Sequence, residues 1–172
     1  IFNTLGIASV TSMTELIEGF EENTLEKIKN AISSNNFNYV SLDTIKLLAP
    51  IPNPKRNIFC LGKNYIEHVK EIKQTKISGT GIPDFPIYFT KVASPAIGNG
   101  DEIKFSSKVT TQVDYEAELA IVIGKEGTNI KPENVEEYIF GYTIVNDVSA
   151  RDLQGKHIQI PVPVKPALNN DA

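Results

Sequence analysis

Three carboxylates stand at alternate positions in the stretch VDYEAELAIVIGK, residues 113–125: Asp114, Glu116 and Glu118. Successive side chains of a strand point to opposite faces, so these acids share one side with Ala120 and Val122. Val113, Tyr115, Ala117, Leu119, Ile121 and Ile123 make up an apolar opposite side. A solvent-facing strand carries such acids harmlessly. Here, however, their face runs on into Ala120 and Val122, which points to a covered surface, and like charges side by side repel unless a cation offsets them. A cluster of oxygen ligands suits a hard divalent ion, Mg2+ or Mn2+, which takes carboxylates and keeps several waters. Such an ion needs a third carboxylate. In GYTIVNDVSARD the apolar run Tyr142–Val145 ends at Asn146 and Asp147, which makes Asp147 the candidate. Turn forming or helix capping is its alternative role, because Asp readily bonds local backbone N–H groups.

A second pair of chemically capable residues lies in GKNYIEHVKEIK, residues 62–73. Asn64 followed by Glu67 is a capping pair, and Tyr65, Val69 and Ile72 form an apolar stripe, so the segment is expected to be helical. His68 and Glu71 then lie three apart on one face, close enough for the carboxylate to orient the imidazole and stabilise its charge. The alternative is a solvated pair on an exposed helix face.

The elements that must position these groups follow from composition and punctuation. With 172 residues, 41% of them hydrophobic, the chain can bury a core and holds one ordinary domain, or one plus a small appendage. Seventeen Lys and Arg against twenty-one Asp and Glu give a net charge of −4, with no basic block to track a phosphate backbone, so nucleic acid is excluded as a partner. The apolar runs are far shorter than the roughly 20 residues a membrane helix requires, and no membrane partner is expected. Cys60, the single cysteine, cannot form an internal disulfide, and a cytoplasmic location is expected; its own place is as a small buried hydrophobe. Residues 1–50 form a small N-terminal segment with helices in TSMTELIEGF and NTLEKIKNAISS, the second capped by Asn23 or Thr24 and carrying Leu25, Ile28 and Ile32 on one face. The three prolines of LLAPIPNPKRN exclude helix there. Strands are expected at Ile58–Leu61, Ile87–Lys91, Glu102–Phe105, Val113–Gly124 and Ile139–Asn146.

Singly these signals are weak. In order, PIPNPKRNIFCLGKNYIEHVKE, PIYFTKVASPAIGNGDEI, DYEAELAIVIGK and GYTIVNDVSARDLQ resemble the fumarylacetoacetate hydrolase family over about Leu48 to Gln159. The resemblance is to smaller members acting on acylpyruvates, oxaloacetate and related dioxo acids. It implies an α+β, β-rich fold, a mixed β roll or sandwich preceded by a small α/β segment, with residues 51–172 as the catalytic domain. It also implies that Glu116, Glu118 and Asp147 hold Mg2+ or Mn2+, that His68 oriented by Glu71 is the general base, and that Lys91, Arg151 and Gln154 meet the substrate. Asp114 matches no ligand position and is expected to be structural. The implied function is metal-dependent hydrolysis of a C–C bond in an acylpyruvate-type substrate, with oxaloacetate decarboxylation or dioxo-acid tautomerisation as alternatives, in a homodimer. A non-catalytic, metal-binding relative is the alternative of another class. Past Gln159 the family pattern runs on into a strand-rich half with a further pocket lysine, whereas this chain gives IPVPVKPALNNDA. The catalytic domain is therefore expected to be incomplete at its C-terminal end, and His157 lies outside every motif.

Overall fold

The computed structural model describes residues 10–34, 39–67, 69, 82–92 and 94–154. His68, Glu71, Ile72, His157 and the segment after Gln154 lie outside the described residues. The chain divides into two units, one drawn from residues 1–54, 95–104 and 115–148, the other from 55–94, 105–114 and 149–172.

The first unit opens with α1 (Met13–Glu18), which starts where the sequence can satisfy its first free N–H groups. Ser12 Oγ accepts from Glu15 N, and the Glu15 carboxylate accepts in return from Thr11 N and Thr11 Oγ1, a reciprocal cap. The Thr11 N–H holds the Glu15 carboxyl below the usual range. Leu16 is the buried residue of this helix. In α2 (Thr24–Ser33), Asn23 occupies the cap position without a side-chain bond, and Thr24 Oγ1 accepts from Glu21 N instead. The expected apolar stripe is not packed: Leu25 and Ile32 are exposed, so helical spacing here did not translate into burial. The proline-rich stretch is irregular, as expected, and its Pro52 carbonyl accepts from Ala96 N at 2.8 Å. Asp101 ties the same region together, taking Gly98 N at 2.8 Å and Lys46 Nζ at 2.6 Å.

The sheet of this unit is an antiparallel pair, β4 (Ala117–Ile123) with β5 (Ile139–Asn146). Its register sets Ala117 opposite Asn146, Glu118 opposite Val145 and Leu119 opposite Ile144, with an irregularity at Val122/Ile123. The alternation read from sequence is present, and the open side is the apolar one. Leu119, Ile121, Ile123, Tyr142 and Ile144 are exposed, Ile144 at 80%, whereas Glu118, Ala120, Val122, Thr143 and Val145 are half-buried. Phe140 meets Phe20 edge-on at 5.1 Å.

The second unit pairs β1 (Ile58–Gly62) with β2 (Ile87–Lys91), and β3 (Val113–Asp114) with β6 (Ser149–Ala150), both antiparallel. A short helix, α3 (Arg151–Gln154), follows β6 directly. Part of the helix expected from GKNYIEHVKEIK is present as a turn closed by Val69 N to Tyr65 O at 3.0 Å, with Val69 buried. Cys60 lies in β1 and is half-buried.

Two expectations change. Val113–Gly124 is not one strand: β3 and β4 are interrupted at Tyr115 and Glu116 and pair with different segments, β6 and β5. Glu102–Phe105 forms no strand; a short alternation without a ladder partner is not sufficient, because pairing and packing rather than propensity make a strand. The fold is α+β and rich in strand, and the three ladders described are all antiparallel.

Candidate active site

The three acids proposed as ligands all fall in the first unit. Glu118 lies inside β4, Glu116 immediately precedes it, and Asp147 immediately follows β5. The ladder continues one step past the strand ends, with Asp147 N donating to Glu116 O at 2.8 Å. Residues opposite each other in an antiparallel pair face the same way, and residues two apart on a strand do also. Glu116, Glu118 and Asp147 therefore share one face, all three half-buried. Asn146, on the other face, accepts from Glu116 N through its Oδ1 at 3.2 Å and fixes the backbone where the strand begins.

Among the described residues, no group of three or more His, Cys, Asp or Glu side chains is placed so that it could hold a metal ion. What the backbone supplies is a row of carboxylates on one face, from two segments about thirty residues apart in sequence. As a donor set, three carboxylates fit a hard divalent cation that takes the rest of its shell from water. A cavity of about 350 Å³ in the same unit is lined by Ile121, Ile123, Ile130, Val135, Tyr138 and Ile139, together with Lys125 and Gly127. It has no carboxylate in its wall, and Ile121 and Ile123 belong to the apolar face, so it is not where the acids are.

The residues expected to meet substrate fall in the second unit. Lys91 ends β2 and donates through Nζ to the buried Ser149 Oγ at 3.2 Å. Arg151 and Gln154 are the first and last residues of α3, and Arg151 Nη1 donates to Gln154 Oε1 at 3.1 Å. Arg151 N donates to Gln112 O at 2.8 Å, which secures the helix start. Next to it, Asp152 accepts from Thr110 Oγ1 at 2.5 Å and from Thr111 N at 3.2 Å. The Thr110 hydroxyl is the main reason the Asp152 carboxyl lies below its usual range.

Sequence alone missed three partners. Asp114 accepts from Arg151 Nε at 2.9 Å. Ser149 receives Lys91, and Thr110 anchors Asp152. Only the β3–β6 register, which sets Asp114 opposite Ser149, reveals the first of these. His68 and Glu71 lie outside the described residues.

The family model for the C-terminal part of fumarylacetoacetate hydrolase matches residues 57–167, reaching past Gln159, where the sequence resemblance was expected to end. Oxaloacetate tautomerase YisK of Bacillus subtilis is 51% identical over 119 residues, 69% of this chain and 38% of that protein. The mitochondrial oxaloacetate tautomerase fahd2 of Xenopus laevis is 43% identical over 144 residues, 84% of this chain and 42% of its own length. Among solved structures, a fumarylacetoacetate hydrolase from psychrophilic Exiguobacterium antarcticum superposes with a TM-score of 0.58 at 38% identity, over 87% of this chain and 49% of that one. The chain thus spans about half or less of the length of these relatives. With Glu116, Glu118 and Asp147 all inside the matched region, the chain belongs to the fumarylacetoacetate hydrolase family.

Proposed function

We propose that this chain forms part of an enzyme that interconverts the enol and keto forms of oxaloacetate with the help of Mg2+ or Mn2+. The observation that carries this is the β4–β5 register, which sets Glu116, Glu118 and Asp147 on one face. The names of the relatives supply the substrate, since two that are 51% and 43% identical are oxaloacetate tautomerases.

Glu116, Glu118 and Asp147 would hold the ion. When bound, it would polarise the 2-oxo group and stabilise negative charge on its oxygen. The chain's own groups bind the substrate and handle the proton. Arg151 offers a planar, permanently charged fork suited to a carboxylate, and Gln154 and Lys91 add polar contacts. His68, oriented by Glu71, would take the proton from C3 of the keto form, and the carbonyl oxygen would gain a proton, so the reaction is a balanced isomerisation with no leaving group.

Hydrolysis of a C–C bond in an acylpyruvate is the second reading, favoured by the 38% identity to a fumarylacetoacetate hydrolase. One experiment separates the two. The intact protein is given oxaloacetate, with loss of enol absorbance followed, and separately acetylpyruvate, with release of pyruvate followed, each with Mg2+ and with EDTA. Mg2+-dependent acceleration on oxaloacetate alone supports the tautomerase. Pyruvate release alone supports the hydrolase. No acceleration of either would end the proposal.

A further inference from the structure

The bond between Asp114 and Arg151 is a charged contact in the second unit that the chemistry above does not use. We infer that Asp114 is a positioning residue, which aims the Arg151 guanidinium at a carboxylate of the substrate. This rests on the proposed role of Arg151 as a carboxylate anchor.

The backbone around Arg151 is already secured without Asp114. Arg151 N bonds Gln112 O at 2.8 Å, and Asp152 next to it bonds Thr110 Oγ1 and Thr111 N. The Asp114–Arg151 pair is itself partly exposed, 44% for the Asp114 side chain and 33% for that of Arg151. Exposed ion pairs of this kind add little to stability. What it does fix is direction. Arg carries a long, rotatable stem, and its fork recognises a carboxylate well only if its plane is set beforehand. Asp114 Oδ2 takes Nε at 2.9 Å and Gln154 Oε1 takes Nη1 at 3.1 Å. Two contacts at different nitrogens restrain the plane of the group. Asp114 is a suitable anchor, because it lies in the β3–β6 ladder opposite Ser149, two residues before Arg151. A side chain held on a paired strand stays in place better than one on a loop.

Charge alone predicts the opposite sign of effect. Asp114 offsets the charge of Arg151, so its neutralisation would strengthen attraction for a dianionic substrate and lower KM. Positioning predicts that KM rises, since a bidentate contact is lost when the fork turns.

The test compares Asp114→Asn, Asp114→Glu, Arg151→Ala and the double variant Asp114→Asn/Arg151→Ala in the intact protein. KM and kcat for oxaloacetate are measured, and the Kd of oxalate is read by calorimetry as a check independent of turnover. Asp114→Asn is expected to raise KM and Kd about tenfold, the scale of losing one hydrogen bond to a charged group, with kcat held. Asp114→Glu, which keeps the carboxylate, is expected to recover part of this. Arg151→Ala is expected to cost more, and the double variant no more than Arg151→Ala, because nothing remains to be aimed. Wild-type or lowered constants in Asp114→Asn beside raised ones in Arg151→Ala overturn the positioning role alone. A penalty for Asp114→Asn that persists in the Arg151→Ala background overturns it too. Wild-type constants in Arg151→Ala overturn the anchor role on which it rests.

Discussion

Glu118→Gln separates a metal site from a solvated acidic face, because the two predict different orders of stability. In the metal-free protein, Glu116 and Glu118 lie two residues apart on one face, about 7 Å between Cα atoms at the usual rise of a strand. Asp147 is opposite Glu116, and so diagonal to Glu118 at about 7–8 Å. Two unit charges 7 Å apart repel by about 0.6 kcal/mol in water and roughly 2.4 kcal/mol at an effective dielectric of 20. The acids are half-buried, with water and salt still able to reach them, so the lower figure is the better guide and two such repulsions amount to about 1 kcal/mol at low ionic strength. Glu118→Gln relieves them and is expected to raise the Tm of the metal-free protein by about 2–4 °C. Mg2+ reverses the order. A ligand at a hundredfold excess over its Kd stabilises the native state by about 2.7 kcal/mol, more than the repulsion costs. Losing one of three carboxylates should weaken the ion at least about tenfold. Scanning calorimetry with EDTA and with Mg2+, plus titration calorimetry of the ion, checks both signs. If the variant has the same Tm order in both buffers and the same Mg2+ affinity as the parent, the three acids are not a metal site.

Several outcomes rest on other parts of the chain. His68→Ala should lower turnover by roughly 10²- to 10⁴-fold, the usual cost of losing a general acid–base group, while Mg2+ affinity by calorimetry stays unchanged. Asp101 is held below its ordinary value of 3.8, first by the Lys46 hydrogen bond and then by Gly98 N. A folded pKa below the unfolded one gives stability that is present above the unfolded value and lost as pH falls through the folded one. Acid unfolding curves of the parent and Asp101→Asn should therefore differ above pH 4 and converge as pH drops below it. Gly98→Ala would place a Cβ 2.9 Å from Ala49 N and 3.0 Å from the Leu48 carbonyl carbon, both backbone atoms that cannot swing away. It should cost about 1–3 kcal/mol, read as a lower denaturant midpoint. A polypeptide of these 172 residues alone, with Leu119, Ile121, Tyr142 and Ile144 open, should bind the dye ANS strongly.

The elements were legible wherever local pattern decides them. Local pattern located β5 and the end of β4, but it set the start of β4 four residues early, merging it with β3. Placing Asp147 at the strand end was also legible, because an apolar run that stops at Asn-Asp marks a strand terminus. What alternation could not reveal was partner choice. It put Asp114 on the face of Glu116 and Glu118, yet Asp114 belongs to a ladder with Ser149 and gives its carboxylate to Arg151. Nor does periodicity say which face is covered, since that depends on what packs against it: the stripe of α2 and the apolar side of β4–β5 both lie exposed.

The stretch VDYEAELAIVIGK thus holds acids in two different settings. Asp114 and Glu116 are separated by a single residue, but the interruption at Tyr115 and Glu116 assigns them to different ladders. Asp114 has a cation as its partner, Arg151 Nε at 2.9 Å. Glu116 and Glu118 share their face with another acid, Asp147. A carboxylate already bonded to Arg is a poor ligand for an ion, whereas three carboxylates on one half-covered face are a donor set that suits a hard divalent cation. The division of roles then follows from which ladder each acid joins: removing Asp114 should alter how substrate binds and leave Mg2+ affinity intact, whereas removing Glu118 should weaken Mg2+ binding itself. Equal loss of Mg2+ affinity in Asp114→Asn and Glu118→Gln, measured by titration calorimetry, would show that the two ladders do not separate the tasks.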